Sequence, residues 1–216
     1  YRTLRQREPD TAIAVIGFSL GGNALLKWLG EQGNAVDLFA ACAVSVPFVL
    51  SACATKLDSG FSMIYRKNLI DELKVYMQQK FQHLKRIGNE EEARKIDQLG
   101  GMSKIKSFWQ YDDQIVAKLH GFDGVNDYYQ LSSSRQFLKS IAIPTLLIHS
   151  KDDPFMTEQV IPLENELSQT VSLEVTDTGG HVGFVSGCNP FKPHYWLEQR
   201  IPYFIKEQMI HYAENK

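Results

Sequence analysis

Residues 12–24, AIAVIGFSLGGNA, decide how this sequence folds. The segment starts with an apolar run at residues 12–16 that is rich in β-branched side chains and too short for a helix of its own. Such a run predicts a buried strand. A glycine-flanked stretch at residues 17–21 ends the run, and residues 23–29, NALLKWL, have the composition of a helix. The segment therefore predicts a strand, a sharp turn and a helix in direct succession.

The turn between this strand and this helix reads GFSLG, a match to the pattern G-x-S-x-G. The pattern alone is weak because glycine and serine are common, but a strand before it and a helix after it form the setting of a nucleophile elbow. We expect side chains at Gly17 or Gly21 to collide with the neighbouring strand and helix. Ser19 is the candidate nucleophile, beside the positive end of the helix. The alternative is a purely structural turn.

Length and composition favour one α/β domain with a substantial core. The chain has 216 residues, of which 44% are hydrophobic and 22% charged, as is ordinary for globular proteins. A net charge of −2 with no basic stripe argues against a nucleic-acid partner. No apolar run approaches the ~20 residues of a transmembrane segment. Cys42, Cys53 and Cys188 lack metal-site spacing, which indicates reduced thiols and a cytoplasmic location.

The first ten residues, YRTLRQREPD, are charged and lack the apolar centre of a signal peptide. They read as a helix and loop leading into the strand at residues 12–16. An elbow of this kind normally follows several strands, and a loop among those strands supplies half of the oxyanion hole. We therefore expect the chain to begin in the middle of a fold, as part of a longer protein.

Two further apolar runs, at residues 38–46 and 144–149, and an alternating stretch at residues 171–175 predict strands. The first of these ends at Pro47 and is separated from the elbow strand by one helix, which favours a parallel sheet built from βαβ units. Helices are also expected at residues 157–168 and, with a kink before Pro202, at residues 195–213.

Residues 51–141 differ from the rest because they contain no convincing buried strand. Helices are expected at residues 68–88 and 90–99. The first of these should bury an apolar face, with members Leu69, Leu73, Tyr76, Met77, Phe81 and Leu84. A helical insertion between strands suits a cap over an active site. Its aromatic residues fit an acyl pocket or, as we prefer, ordinary core packing; they are Phe108, Trp109, Tyr111, Tyr128 and Tyr129.

An acid and a base for Ser19 lie near the end of the chain. Asp152 and Asp153 directly follow the strand at residues 144–149, where a triad acid must sit. Asp153, immediately before Pro154, is the preferred acid, and one aspartate of the pair is expected to form an Asx-turn or helix cap. His181 lies in a glycine-rich loop after the last strand, which makes it the candidate base.

The other five histidines have settings that do not suit a catalytic base. His149 lies inside an apolar strand and is expected to be a core residue with its hydrogen bonds satisfied. His83, His194 and His211 look like surface or helix residues, and His120 belongs to the helical insertion. The order serine, aspartate, histidine along the chain is the order found in α/β-hydrolases.

Four motifs together resemble the YheT-like α/β-hydrolases, the AB hydrolase 4 family of the AB hydrolase superfamily. They are GFSLGGN at 17–23, HGFDGVNDYYQLSS at 120–133, IPTLLIHSKDDPF at 143–155 and TGGHVGF at 178–184. The resemblance implies an α/β-hydrolase fold: a mostly parallel sheet flanked by helices, with a helical cap inserted between strands. It divides the chain into core residues 1–50, cap residues 51–141 and core residues 142–216.

The resemblance also implies a serine carboxylesterase that acts on acyl lipids, with Ser19 as nucleophile, His181 as base and Asp153 as acid. The backbone N–H of Leu20 is expected to serve as one oxyanion donor, and the second donor should come from an upstream loop. The expected substrate is a small acyl ester of short to medium chain length, and no metal or organic cofactor is expected. The alternatives are a thioesterase, lipase or acyltransferase on the same fold, or a non-catalytic interaction protein.

Overall fold

The computed structural model of the chain describes residues 1–187 and 192–214. These residues form two compact units. The first, which we term the sheet unit, comprises Tyr1–Phe48, Ser133–Asp153 and the described part of Ile161–Lys216. The second, the helical unit, comprises Val49–Ser132 and Pro154–Val160. Compared with the expected cap at 51–141, it also contains residues 49–50 and 154–160, and it lacks residues 133–141.

The helices and strands follow one another in an alternating α/β pattern that is interrupted by a run of helices. The strands are Ala14–Phe18 (β1), Ala40–Val44 (β2), Thr145–Ser150 (β3), Val171–Thr176 (β4), Val185–Ser186 (β5) and His194–Tyr195 (β6). The α-helices are Arg2–Arg7 (α1), Leu20–Gln32 (α2), Leu50–Leu57 (α3), Ser62–Arg86 (α4), Glu90–Asp97 (α5), Phe108–Tyr111 (α6), Lys118–His120 (α7), Val125–Ser132 (α8) and Leu197–Glu214 (α9). A π-helical turn, Asp112–Ala117, joins α6 to α7.

The sheet unit is built on a four-stranded parallel sheet in the order β1-β2-β3-β4. Ala43 of β2 lies between Gly17 of β1 and Leu147 of β3, and Leu147 in turn is paired with Leu173 of β4. All four strands lie within two residues of the predicted positions. The predicted α/β fold with a parallel sheet flanked by helices is confirmed. β5 and β6 form a separate two-stranded antiparallel ribbon.

Alternate residues of β2 face opposite sides of the sheet, and each side is covered by a helix. Ala41 and Ala43 pack with Leu26 and Leu29 of α2 on one side. The remaining residues of β2 pack with α9 on the other side, together with Leu146 and Ile148 of β3. Both central strands are therefore fully buried, which explains why they read as continuous apolar runs rather than alternating ones.

The helix α2 packs closely against a short 3₁₀ segment, Ser134–Ser140, through Gly30. A Cβ atom on Gly30 would lie 2.6 Å from the Cβ of Phe137 and even nearer its carbonyl oxygen. A side chain at Gly21, in the same helix, would meet nothing within 4 Å.

We therefore expect Gly30→Ala to lower the free energy of unfolding by about 2–3 kcal/mol, since the backbone of the 3₁₀ segment must move away. Gly21→Ala is the matched control and should leave it unchanged or slightly raised, because alanine favours helices. Urea denaturation followed by circular dichroism measures both variants. Equal stability of the two variants would contradict the close packing.

In the helical unit, α4 begins six residues earlier than predicted, and α5 ends two residues earlier. Within residues 68–86 of α4, the buried side chains are Ile70, Met77 and Leu84, which repeat every seven residues. They pack against Ala93 and Ile96 of α5. The prediction that Tyr76 joins this face is wrong, since its side chain is 61% exposed. Tyr76 directly precedes the buried Met77, and each step along a helix turns the side chain by about 100°. The Tyr76 side chain therefore points away from the buried face.

The aromatic residues of the helical unit pack mainly against one another. Trp109 meets Tyr129 edge-on with ring centroids 4.9 Å apart, and Tyr128 lies 5.4 Å from Tyr129. Tyr111 and Tyr129 are each about 95% buried. This packing favours the interpretation of these rings as core residues.

Asp112, in the π-helical turn, is a carboxylate held among these aromatic rings. Burial raises the pKa of Asp112 to about 6, and the hydroxyl of Tyr129, which donates a 2.7 Å hydrogen bond, offsets only part of that rise. The folded state thus binds a proton at Asp112 more tightly than the unfolded state does. The free energy of unfolding is therefore not reduced by Asp112 at low pH. It falls as the pH rises from the ordinary carboxyl pKa through about 6, because the buried carboxyl then ionises.

Asp112→Asn removes the charge and is expected to raise the free energy of unfolding at pH 8 by about 2 kcal/mol. The gain should disappear near pH 4, where Asp112 is already neutral. The exposed Asp123 provides the control variant Asp123→Asn, which should show no such dependence. Thermal unfolding at several pH values measures the difference. A gain that is the same at pH 4 and pH 8 would contradict the assigned cause.

The prediction of a helix at residues 157–168 is wrong. The chain instead makes two short 3₁₀ turns, Glu158–Val160 and Glu164–Glu166. Pro162 lies between them and lacks a backbone N–H, and it also disfavours the helical conformation of the residue before it. In contrast, α9 continues through Pro202, whose missing N–H leaves the carbonyl of Glu198 without its helical hydrogen bond.

Candidate active site

Ser19 lies in the turn between β1 and α2, in a strained backbone conformation. Its φ is +50°, which side-chain-bearing residues rarely adopt. The backbone N–H of Ser19 donates to the carbonyl of Val44 at 2.8 Å, and its own carbonyl accepts from Asn23 N–H at 3.1 Å. These bonds fix the turn to β2 and to the first turn of α2. Ser19 remains partly exposed, so its hydroxyl can meet a substrate.

Close packing around this turn explains two of its three glycines. A Cβ on Gly17 would lie 2.8 Å from the carbonyl oxygen of Gly21 and from the Cα of Gly22, as expected. The same expectation for Gly21 is wrong, because a side chain there meets open space. Gly22 is the second required glycine, since its Cβ would lie 2.7 Å from the side chain of Val46. The pattern G-x-S-x-G alone does not include this position.

The two adjacent aspartates after β3 lie in different surroundings. Asp153 is buried, with a side chain that is 1% exposed, and its Oδ2 lies 2.8 Å from Nδ1 of His181. Asp152 is exposed, and its Oδ1 accepts hydrogen bonds from the backbone N–H groups of Gly179 and Gly180. Only Asp153 therefore touches the imidazole.

His181 joins the serine to the buried aspartate. Its Nε2 lies 2.8 Å from Oγ of Ser19, and its Nδ1 lies 2.8 Å from Asp153. An ionised carboxylate only accepts hydrogen bonds, so Nδ1 carries the proton and donates it. In the neutral ring Nε2 is then the acceptor and faces the hydroxyl of Ser19. The three predicted residues, distant in sequence, form one continuous hydrogen-bonded chain.

Leu20 is the first residue of α2, directly after Ser19. The first N–H groups of a helix have no partner within the helix, and they lie at its positive end. The backbone N–H of Leu20 is therefore free of helical bonds, as an anion-binding donor must be. The Leu20 side chain is 54% exposed.

His149 lies at the end of β3, 1% exposed. The prediction that its hydrogen bonds are satisfied is wrong, because its buried Nδ1 has no hydrogen-bond partner among the residues that the structure describes. Burial lowers the pKa of His149, so the ring is neutral at pH 7. His83, His194 and His211 are exposed, as expected, and His120 in the helical unit is exposed as well.

Cys42 and Cys53 are buried, whereas Cys188 lies outside the described residues. Burial raises the pKa of the Cys42 thiol to about 12, which keeps it protonated and unreactive. In residues 1–187 and 192–214, no group of three or more His, Cys, Asp or Glu side chains could hold a metal ion. The same ranges contain no helix with the length and hydropathy needed to span a membrane.

Residues 1–187 match the family model described as alpha/beta hydrolase fold. The chain belongs to this family. Within it, the chain is 38% identical over 209 residues to YheT of Escherichia coli, provisionally named an esterase, and this similarity confirms the resemblance seen in the sequence. The match covers 93% of this chain and 57% of YheT.

Two human members of the alpha/beta hydrolase family are each 28% identical to this chain. Phospholipase ABHD3 matches 94% of this chain and 48% of its own length, and monoacylglycerol lipase ABHD2 matches 92% and 48%. The chain thus spans about half the length of the curated relatives it matches. Among solved structures, an esterase of Pyrococcus furiosus superposes with a TM-score of 0.50 at 17% identity, covering 96% of this chain and 58% of that one. This likeness bears on the fold alone.

Proposed function

We propose that the protein is a serine hydrolase that cleaves carboxylic esters of short to medium acyl chain length through Ser19, His181 and Asp153. The observation that carries the proposal is the hydrogen-bonded chain from Ser19 Oγ through the His181 ring to Asp153 Oδ2, with both distances 2.8 Å. A partly exposed hydroxyl, a neutral imidazole and a buried carboxylate in this order are the requirements for activating a serine.

In the proposed reaction, Ser19 Oγ attacks the ester carbonyl carbon while its proton moves to Nε2 of His181. Asp153 stabilises the positive charge that the imidazole gains and keeps the proton on Nδ1. The N–H of Leu20 donates to the oxyanion. The imidazolium then protonates the leaving alcohol, which departs and leaves an acyl-enzyme. A water molecule, deprotonated by His181, hydrolyses this intermediate and restores the serine.

The names of the relatives support lipid esters as the substrate class. They comprise an esterase, a phospholipase and a monoacylglycerol lipase. The proposed partner is a small acyl ester. The proposed location is the cytoplasm, because the three cysteines lack the spacing of a disulfide framework.

A panel of p-nitrophenyl esters tests the substrate proposal on the protein at its natural length. We expect kcat/KM to be highest for the butyrate or octanoate and to fall for the palmitate. Butyryl-coenzyme A, a thioester of matched acyl length, should be cleaved more slowly than the butyrate ester. A preference for palmitate or for the thioester would instead indicate a long-chain lipase or a thioesterase.

A further inference from the structure

The loop that carries His181 contains a hydrogen bond of its own and also accepts support from residues outside it. Within the loop, Phe184 N–H donates to the carbonyl of Gly179 at 2.8 Å, which closes a compact turn around His181. Phe184 itself has a φ of +43°, a conformation rarely adopted by a residue of its size. A turn of this kind needs support if the imidazole is to keep a fixed position.

Asp152 supplies that support from the end of β3. Its Oδ1 accepts the N–H of Gly179 at 2.9 Å and the N–H of Gly180 at 2.8 Å. Gly180 directly precedes His181. The hydroxyl of Ser150, two residues before Asp152, donates to the carbonyl of Gly180. The peptide groups next to the base are thus held by two side chains, one at the last residue of β3 and one two residues beyond it.

The electrostatics of Asp152 agree with this geometry. Desolvation raises the pKa of its carboxyl, but hydrogen bonds to the charged form, with that from Gly180 foremost, outweigh it and hold the pKa below its usual value. The carboxylate is therefore ionised at neutral pH, and charge-assisted hydrogen bonds are stronger than neutral ones.

We propose that Asp152 is a positioning residue that fixes the backbone at Gly179 and Gly180 and thereby keeps His181 within hydrogen-bond distance of Ser19. This inference rests on the proposed function for its effect on turnover. The two adjacent aspartates then divide the work: Asp153 orients the imidazole through its ring nitrogen, and Asp152 orients the loop through its backbone. A small displacement of a catalytic group can cost about 10²-fold in rate.

The test uses the protein at its natural length and the variants Asp152→Ala, Asp152→Leu and Asp152→Asn. The first two remove the acceptor oxygen, and we expect kcat to fall by about 10- to 100-fold with KM changed by less than about three-fold. Asparagine keeps an oxygen in the same place, so Asp152→Asn should recover most of the lost kcat. Asp177→Ala is the matched control, because Asp177 is an exposed acid that pairs with Lys151 just upstream of the same loop.

Hydrogen–deuterium exchange of residues 177–184 gives a readout that does not depend on activity. Exchange at Gly179 and Gly180 should be at least about ten-fold faster in the alanine variant than in the wild type or Asp177→Ala. Unchanged kcat and unchanged exchange would overturn the proposal, as would unfolding of both the alanine and leucine variants. If the wild type lacks ester hydrolysis, the proposed function fails, and the exchange rates still decide whether Asp152 holds the loop.

Discussion

Replacing Ser19 by alanine is expected to lower kcat for ester hydrolysis by about 10⁴-fold or more. The reason is that Ser19 Oγ, 2.8 Å from Nε2 of His181, is the atom that forms the acyl-enzyme in the proposed reaction, and alanine has no such atom. Substrate binding should persist, because the rest of the site is unchanged. Steady-state kinetics of wild type and Ser19→Ala with p-nitrophenyl butyrate measure the loss.

Ser45 offers a matched control for this substitution. It follows β2 as Ser19 follows β1, and its φ of +52° is almost the same. Ser45 is fully buried, so its hydroxyl cannot reach a substrate, and within residues 1–187 and 192–214 this hydroxyl has no hydrogen-bond partner. Ser45→Ala should keep kcat within about two-fold of the wild type, since it changes a strained turn without touching the chain of Ser19 and His181. A large loss in both variants would mean that the strained turns, not the hydroxyl, limit the rate.

Replacing Asp153 by asparagine is expected to lower kcat by about 10³- to 10⁴-fold. An asparagine can present its NH₂ group to Nδ1 of His181, which favours the tautomer with the proton on Nε2. That tautomer cannot accept the proton of Ser19. The substitution also removes the negative charge of Asp153 that stabilises the imidazolium. The stability of the fold should change much less than the rate, because asparagine has nearly the same shape.

The neighbouring Asp152 makes this prediction specific. Asp152→Asn should reduce kcat by less than about five-fold, since its role requires an acceptor oxygen and not a particular tautomer of His181. Kinetics of the two asparagine variants, measured side by side, decide which aspartate is the acid. A larger loss for Asp152→Asn than for Asp153→Asn would reverse the assignment.

The sequence was sufficient to predict the parallel sheet, because the two central strands, buried on both faces, read as continuous apolar runs and β4 reads as an alternating stretch. It was also sufficient to bring Ser19, Asp153 and His181 to one edge of that sheet, since each follows the carboxyl end of a strand. Neither prediction required knowledge of side-chain packing. Both rest on patterns that extend over a whole strand or loop.

Features that depend on a single neighbour could not be predicted in this way. Gly22 is required because of Val46, which is 24 positions away, so the local pattern directed attention to Gly21 instead. On α4, the predicted apolar face included the exposed Tyr76 and omitted the buried Ile70, because apolar residues occur on several sides of that helix. The bonds from Asp152 to the loop of His181 join segments 27 and 28 residues apart. The helix expected at 157–168 is different, because Pro162 was a local signal against it.

Covalent labelling with a fluorophosphonate tests the central claim most directly. The protein at its natural length is incubated with the probe, digested and analysed by mass spectrometry. The account predicts one adduct, on the peptide containing Ser19, that is lost in Ser19→Ala and strongly reduced in His181→Ala but retained in Ser45→Ala. An adduct on a different serine, or no adduct on a folded protein that hydrolyses esters, would contradict it.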